Sequence, residues 1–229
     1  MRHTAHSSVR SLLIAGVMLC MATVSWSQQP SLAWLGTLPG YSYSGAMDVL
    51  ADGTVVVGFA HNDYEEFRAF YWTASGGIRD LGTLGGDRSF AYSVSADGSV
   101  VVGRERYGRE YRAFRWTATA GVEDLNTTYA SLLTDGSILG LARSISPDGR
   151  YIAGDGYNAA TRRVEAFLLD TGFPLRGDVD RSGCVDDADL LRVLSAFGER
   201  GYRNEDIDWS GVIDDADLIQ VLFNFGSGC

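Results

Sequence analysis

The feature that most restricts the fold of this chain is a repeat in its own sequence. Three motifs of one unit return in the same order about 45 residues later, and a weaker third copy follows. The motifs are LGTL at 35–38 and 81–84, ADGTVVVG at 51–58 with ADGSVVVG at 96–103, RAFYWT at 68–73 with RAFRWT at 112–117, and, in the third copy, PDGRYIAG at 147–154 and EAFLLD at 165–170. A period of this size is typical of folds that stack one supersecondary unit on the next.

Each complete unit contains four short β-rich runs separated by turn residues. In the second unit the predicted strands are 91–95, 99–103, 111–116 and 122–125, and Asp97-Gly98 makes the first tight turn. Four antiparallel strands in about 40 to 45 residues is the blade of a β-propeller. The motif string resembles the extracellular HAF repeat, whose pattern appears here as Arg-Ala-Phe at 68–70 and 112–114. The resemblance covers about residues 32–170 and implies an exported, mostly β, propeller-like body.

The number of units leaves the closure of the body open. Three units are few for a closed ring, and the third has no clear fourth strand. The segment Leu32–Leu38 matches a fourth strand, so we expect the N-terminal part to close the last blade and protect a sheet edge. An open stack of sheets and a ring completed by dimerisation are the alternatives.

Equivalent aromatic residues are predicted to lie in the core, and the segments that differ between units to carry any binding function. The equivalent aromatics are Phe70, Phe114 and Phe167, and Trp72 with Trp116. The variable segments are 60–66, 104–110 and 155–163, each between the second and third strands of its unit, so we expect them on one face. They mix Tyr, Arg, Asp and Asn, which suits a carbohydrate or a surface protein, although solvated hairpin tips are the simpler interpretation.

A second duplication lies near the C-terminus, in the acidic loops Asp178–Asp189 and Asp206–Asp217. Oxygen-bearing side chains stand at loop positions 1, 3, 5, 9 and 12, glycine makes the turn at position 6, and position 7 offers its carbonyl. This spacing is what a calcium ion needs, and two copies in register predict two Ca²⁺ ions. The predicted ligands are Asp178, Asp180, Ser182, Cys184, Asp186 and Asp189 in the first loop, and Asp206, Asp208, Ser210, Val212, Asp214 and Asp217 in the second.

Each acidic loop leads into a predicted helix that ends at Gly198 or Gly226. We expect the small core of this region to come from Leu190, Leu194, Phe197, Leu218, Leu222 and Phe225, with Leu191 and Ile219 also on the helices. Pro174 and Gly177 precede the first loop and break helices, so the unit is a loop followed by a helix and not an EF-hand.

Two such loop-helix units in tandem resemble the type I dockerin domain, over about residues 177–229. The resemblance implies a small α-helical calcium module that docks onto a cohesin module, often as part of a polysaccharide-degrading enzyme. Dockerins commonly carry Ser or Thr at loop positions 10 and 11, where cohesin is recognised. Here these positions are Asp187-Ala188 and Asp215-Ala216, which indicates a cohesin-like partner other than the standard cellulosomal one.

The N-terminus is predicted to be an export signal. Arg2 and Arg10 flank the start of the apolar run Leu12–Val24, which is shorter than the roughly 20 residues of a membrane span, and cleavage is expected near Ser27-Gln28. The predicted domains are therefore a signal peptide at 1–27, a β-repeat domain at 28–174 and a dockerin-like domain at 175–229, in a secreted protein without a membrane span.

Charge and cysteine content narrow the partners further. The formal net charge of -10 argues against nucleic acid or an anionic membrane, and much of it comes from the acidic loops. Cys20 leaves with the signal, so Cys184 and Cys229 are expected to form a disulfide in an oxidising compartment. His61 would be the only histidine of the mature chain, which leaves a zinc site or a Ser/Cys triad without companions.

Three functions compete on this basis: a non-catalytic exported binding protein, a dockerin-bearing glycoside hydrolase, and a structural protein of a cell coat. Hydrolysis of a glycosidic bond needs two carboxylates about 5 to 5.5 Å or about 6.5 to 9.5 Å apart. The candidates are Asp63, Glu65, Glu66, Asp87 and Glu110, and their spacing singles out no pair. We favour the binding protein, which includes the structural role, over the hydrolase.

Overall fold

The computed structural model describes residues 30–172, 175–201 and 203–229, so the predicted signal segment lies outside it. Backbone contacts separate residues 1–34 from a compact unit of residues 35–229, to which all the elements below belong. This unit is mostly β. Its elements are β1 (Tyr43–Val49), β2 (Val55–His61), β3 (Phe67–Thr73), β4 (Gly77–Asp80), β5 (Arg88–Val94), β6 (Val100–Tyr107), β7 (Glu110–Thr117), β8 (Gly121–Asp124), α1 (Leu125–Thr128), a 3-10 turn (Ala130–Leu132), β9 (Ile138–Ile145), β10 (Tyr151–Asn158), β11 (Arg163–Asp170), α2 (Asp187–Ser195) and α3 (Asp215–Asn224).

The strands form an eight-stranded sheet and a three-stranded sheet. The eight-stranded sheet consists of two antiparallel groups, which we call sheet 1 (β1–β4) and sheet 2 (β5–β8), and the three-stranded sheet (β9–β11) is called sheet 3. A single parallel bridge between Phe67 and Arg88 joins sheets 1 and 2. Each of the four strands predicted for the second unit overlaps an observed strand, which confirms the predicted β repeat. Among the described residues, sheet 3 has three strands, as its sequence indicated.

A glycine in the second strand of each sheet shows why the repeat keeps its motif. Sheets 1 and 2 carry a register shift in their first strand, between Ala46 and Asp48 and between Ala91 and Ser93. There a carbonyl of the first strand presses on the second strand, and a Cβ atom on the glycine would overlap it. The glycines are Gly58, Gly103 and Gly154, and the carbonyls belong to Gly45, Phe90 and Leu141.

The phenylalanine of each unit pairs directly with this glycine across the sheet. The pairs are Gly58 with Phe70, Gly103 with Phe114, and Gly154 with Phe167. Phe70 and Phe114 are buried, Trp116 is buried, and Phe167 and Trp72 are half-buried, so the equivalent aromatics are core residues as predicted. The repeated motifs therefore encode packing within and between sheets.

The expectation that Leu32–Leu38 forms a strand is wrong, because this segment contains no strand. Leu35 and Leu38 instead pack on Val56 and Phe70 of sheet 1. Leu81, the equivalent of Leu35, packs in the same way within the core shared by sheets 1 and 2. The LGTL motif is thus a linker that covers the sheet that follows it. Its leucines pack into the hydrophobic core, although the segment does not pair with a strand in a β ladder.

The C-terminal module (residues 175–229) is built around a reciprocal backbone pairing. Val185 of the first acidic loop pairs with Ser227 and Gly226 beyond α3, and Ile213 of the second loop pairs with Gly198 and Glu199 beyond α2. The core contains Val179, Val185, Val193, Ala196, Ile213 and Val221.

The expected composition of this core is therefore wrong for four residues. Leu194, Phe197, Leu222 and Phe225 are 47 to 54 % exposed, so of the six expected residues two, Leu190 and Leu218, pack against the core. Each short helix buries one narrow face against the loops, and the buried apolar residues on these faces are Val193 and Val221.

Candidate metal centre

Three aspartates of each acidic loop converge on one point. Asp178, Asp180 and Asp189 bring ligand atoms within 4.8 Å of one another, and so do Asp206, Asp208 and Asp217. These are loop positions 1, 3 and 12, three of the side chains that the spacing selected. Carboxylate oxygens gathered this closely are suited to a hard divalent cation such as calcium.

The position-12 aspartates are placed by the helices that they begin. Asp189 and Asp217 lie in the first turns of α2 and α3, where each accepts a hydrogen bond from the helix N-cap as part of a capping box. Their other carboxylate oxygen accepts from loop N–H groups, at 2.7 Å from Val179 and 2.6 Å from Ile207. Each helix terminus thus fixes one carboxylate at the centre of its loop.

The position-1 aspartates, Asp178 and Asp206, are buried. The Asp178 carboxylate accepts from the N–H groups of Ser182 and Gly183, and the Asp206 carboxylate accepts from Gly211 through one oxygen, while its buried Oδ1 has no hydrogen-bond partner within the described part of the chain. Burial, reinforced by the neighbouring position-12 carboxylate, raises the pKa of Asp178 and of Asp206 above the usual range. An unpaired buried carboxylate oxygen is costly, and a cation would satisfy it.

The position-5 hydroxyl of each loop lies against the position-7 carbonyl, and the position-9 aspartate caps the helix. The Ser182 hydroxyl donates to the Cys184 carbonyl and the Ser210 hydroxyl to the Val212 carbonyl, each at 3.0 Å. Asp186 and Asp214 cap α2 and α3 through the N–H groups of Ala188 and Ala216, and neither belongs to the aspartate triads. Position 9 reaches calcium through a water molecule in many loops of this type.

A disulfide joins the first loop to the end of the chain. Cys184 and Cys229 are bonded, with their Cα atoms 4.8 Å apart and a sequence separation of 45 residues. The bond lies beside the pairing of Val185 with Ser227. The carbonyl of Cys184 remains directed into the loop, where Ser182 donates to it.

The module presents two matching apolar surfaces. Leu191, Leu194 and Phe197 are 62, 48 and 47 % exposed on α2 and just beyond it, and their equivalents Ile219, Leu222 and Phe225 are 47, 54 and 48 % exposed. The residues at positions 10 and 11, Asp187, Ala188, Asp215 and Ala216, are exposed at the helix starts. The duplication therefore reproduces a surface as well as a metal loop.

Arg181, at position 4 of the first loop, ties the module to the β sheets. Its guanidinium donates to the Ser99 hydroxyl at 2.6 Å and lies 2.7 Å from the Asp97 carboxylate. Both partners belong to the turn between β5 and β6. The sequence analysis missed this residue, because its partners lie about 80 residues away in the chain and no local pattern marks the pair.

The variable segments of the sheets are less loop-like than predicted. Residues 104–107 and 110 lie in β6 and β7, and residues 155–158 and 163 lie in β10 and β11, so these hairpins have short turns. A groove of about 510 Å³ runs between sheets 2 and 3 at this place. It is lined by Arg104, Glu110 and Tyr111 on one side and by Asp155, Tyr157 and Val164 on the other.

Arg104 gives the groove an aromatic and cationic wall. Its guanidinium stacks over the rings of Tyr111, Phe90 and Tyr92 at 4.3, 5.1 and 5.8 Å, and its buried Nε finds no hydrogen-bond partner among the residues that the structure describes. Burial raises the pKa of the neighbouring Tyr92. The mixture of ring faces, guanidinium and carboxylates suits a ligand with both apolar and hydroxyl surfaces.

Most carboxylates considered for hydrolysis are engaged in structural contacts. Glu65 pairs with Arg88 at 2.6 Å, and Asp87 pairs with Arg106, which lowers the pKa of Asp87 by hydrogen bonding. Asp63 accepts from Ser42 and Glu66 accepts from Asn62, each at 2.8 Å. Glu110 lines the groove.

Comparison with known proteins adds little. No protein-family model matches the sequence, and no curated protein matches it. Two solved structures are similar in part: a candidate TolB from Agrobacterium tumefaciens (15 % identity, 62 % of this chain and 45 % of that chain, TM-score 0.42) and TolB from Acinetobacter baumannii (14 %, 59 % and 31 %, TM-score 0.42). This chain spans less than half the length of either. Within the described ranges, no helix is both long and apolar enough to cross a membrane.

Proposed function

We propose that this protein is an exported, non-catalytic modular protein whose C-terminal module binds two calcium ions and attaches it to a cohesin-like protein, while the β sheets contact a carbohydrate or a surface protein. The observation that carries the proposal is the pair of equivalent aspartate triads, one of which holds a buried carboxylate oxygen that has no hydrogen-bond partner among the described residues. The spacing of the two loops supplies the same ligand set twice.

Calcium would be held by the side chains at positions 1, 3, 5 and 12, by the carbonyls of Cys184 and Val212, and through water by Asp186 and Asp214. The ion supplies the positive charge that offsets the repulsion among these aspartates. The loop backbone then holds the helix starts in place, because Asp189 and Asp217 belong to both the loop and the helix. Metal binding and the order of the module are thereby coupled.

The exposed apolar residues of α2 and α3 support attachment to a protein. Two equivalent patches of Leu, Ile and Phe side chains lie beside the exposed positions 10 and 11. Exposed apolar patches rimmed by polar residues are typical of protein interfaces. The Asp-Ala pairs at those positions give each patch an acidic border, so the partner is expected to present basic or hydroxyl-bearing side chains there.

Calcium stoichiometry is tested on the full mature chain by titration calorimetry. We expect two ions for the unchanged protein and one each for Asp178→Asn and Asp206→Asn, which keep the size of the side chain but remove its charge. The matched control is Asp215→Asn, which removes an exposed aspartate outside the triad and should leave two sites. An unchanged protein that binds no calcium, or a control that loses a site, would overturn the proposal.

Attachment is tested with a panel of immobilised cohesin modules in calcium and in chelator. We expect calcium-dependent binding that falls at least tenfold in the double variant Leu194→Asp with Leu222→Asp, because it places charge in both apolar patches. Leu132→Asp is the control, since Leu132 is 65 % exposed on the sheet domain. Binding that persists in chelator or in the double variant would contradict this docking surface.

A further inference from the structure

The three sheets pack on one another through equivalent positions of the repeat. We call the side of each sheet that faces the next sheet its leading face and the opposite side its trailing face. The backbone register defines the leading face by residues 57 and 69 in sheet 1, 102 and 113 in sheet 2, and 153 and 166 in sheet 3. It defines the trailing face by residues 46 and 49, 91 and 94, and 142 and 145.

These positions of both faces are buried wherever two sheets meet within the chain. Val57 and Ala69 of sheet 1 are 0 % exposed in one core with Ala91 and Val94 of sheet 2. The same contact recurs one unit later, where Val102 and Ala113 of sheet 2 share a core with Ala142 and Ile145 of sheet 3. The chain thus contains the same interface twice.

The two faces at the ends of this stack lack a neighbouring sheet. On the trailing face of sheet 1, Leu35 and Leu38 cover Val56 and Phe70 but not the first strand. On the leading face of sheet 3, Ala153 and Ala166 are exposed, with Leu168 beside them at 71 %. On the trailing face of sheet 1, Ala46 is exposed and Val49 is 55 % exposed, whereas Val94 and Ile145 are 8 and 7 % exposed. Burial at these positions follows the neighbouring sheet, not the residue type.

A polar contact repeats at each of the two internal interfaces. The Asp48 carboxylate accepts from the Val94 N–H at 3.0 Å, and the Ser93 hydroxyl, at the equivalent position, accepts from the Ile145 N–H at 3.5 Å. The next equivalent is Ser144, which is exposed on sheet 3. On sheet 1 the residue equivalent to Val94 and Ile145 is Val49, whose N–H donates to the Asp48 carboxylate at 2.9 Å, so a Ser144 hydroxyl from a second copy would replace this local contact.

We propose that the leading face of sheet 3 docks onto the trailing face of sheet 1 of a second copy, and reciprocally, so that two copies close a ring of six sheets. The occupant is a second copy because the chain already forms this interface twice internally, so its own two end faces carry the complementary positions. Six blades lie within the range of about four to eight that propellers use. A head-to-tail contact that closes after two copies leaves no free face.

The C-terminal module leaves both faces accessible. It contacts the sheets through Arg181 at the β5–β6 turn, while Ala166 and Ala46 stay exposed in its presence. The pairing therefore needs no calcium and stands apart from the proposed attachment function. It would place two modules on one particle and make attachment bivalent.

Sedimentation equilibrium of the full mature chain, in calcium and in chelator, tests the pairing. We expect twice the chain mass for the unchanged protein in both conditions, and a monomer for Ala166→Arg and for Ala46→Arg, because each places a charged side chain in one of the two faces. Ala118→Arg makes the same change at an exposed turn residue and should remain paired. Circular dichroism checks that each variant keeps its β structure, and the milder Leu168→Thr and Val49→Thr replace any variant that does not.

The two face variants also establish the orientation. If sheet 3 met sheet 3 of the other copy, Ala46→Arg would stay paired, and that result would overturn the head-to-tail proposal. A mixture of the two monomeric variants retains one intact interface and should associate weakly, whereas each alone should not. A monomeric unchanged protein at high micromolar concentration, or open assemblies that grow with concentration, would equally overturn the closed pair.

Discussion

The sheets and the C-terminal module are both products of duplication, yet they use their duplicated apolar residues in opposite ways. Phe70 and Phe114, equivalent in the sheets, are each 1 % exposed, whereas Phe197 and Phe225, equivalent in the module, are 47 and 48 % exposed. In the sheets the repeated phenylalanines become core, because Phe114 is covered by the neighbouring sheet and Phe70 by Leu35 and Leu38. In the module the two units meet through loop residues and one narrow helix stripe, so the remaining apolar residues become surface.

The comparison shows that whether a duplicated apolar residue is buried or exposed depends on the surface that packs against it. The sheets end where the stack ends, and there the same alanines and valines change from buried to exposed. In the module the stabilising contacts are the reciprocal pairing of Val185 and Ile213, the disulfide and the acidic loops. The two regions should therefore respond differently to the same kind of change.

The largest difference is expected for phenylalanine truncation. Phe114→Ala should lower the free energy of unfolding of the sheets by about 3 to 5 kcal/mol, because it leaves a cavity beside Gly103 in the shared core. Phe225→Ala should cost the module about 0.5 kcal/mol, because half of the ring is already in water. Urea unfolding measures both, and equal costs would break the distinction between core and surface.

Removing the disulfide should affect the module alone. A bridge that spans 45 residues stabilises the folded module by up to about 4 kcal/mol in the loop-entropy estimate. We therefore expect the double variant Cys184→Ser with Cys229→Ser to exchange the backbone amides of the module faster, while the amides of the sheets stay protected. Alkylation of the unreduced protein followed by intact-mass analysis is the control. Two labelled thiols there would contradict the pairing.

A smaller effect is expected where the two regions touch. Arg181→Ala should cost about 1 kcal/mol, because its ion pair with Asp97 is only partly shielded from water. A double-mutant cycle with Asp97→Asn should give a coupling energy of the same size. Arg192→Ala, on the exposed side of α2, serves as the comparison and should show no coupling with Asp97.

The finest test is a pH titration of one carboxyl from each region. Burial raises the pKa of Asp206 above 3.8 in the folded protein. Without calcium, the contribution of this carboxyl to the stability of the fold is therefore fully present at a pH below its unfolded-state pKa, and it is lost as the pH rises through its folded-state pKa. Hydrogen bonds from Arg150 lower the pKa of Asp170, whose contribution is present above 3.8 and is lost as pH falls through the lowered value.

Carboxyl-detected NMR in chelator should therefore show Asp206 titrating above 3.8 and Asp170 below it. Added calcium should move the pKa of Asp206 downward and leave that of Asp170 in place, because only Asp206 belongs to an acidic triad. If the pKa of Asp206 did not change on addition of calcium, this carboxyl would not be a calcium ligand.

Much of the local structure was predictable from the sequence. The four strands of the second unit, the turn at Asp97-Gly98 and the loop-helix order of the module follow from spacing, because backbone partners within a unit lie close in the chain. The same spacing selected the aspartates at positions 1, 3 and 12 that meet in each triad. Position 9 was assigned to the metal set, whereas Asp186 and Asp214 bond to the helix N–H groups, which compete for the same oxygens.

By itself, the sequence determined the repeat period, the strand register within each unit and the geometry of the acidic loops, since short-range hydrogen bonds and glycine sterics settle these. Only the tertiary structure decided which copies of an apolar position are buried, because burial depends on the surface that packs against it. That is why Ala113 lies in a core while Ala166, at the same place in the repeat, is exposed. It is also why Arg181 contacts Asp97, a pairing made by two regions that are distant in the chain and adjacent in the fold.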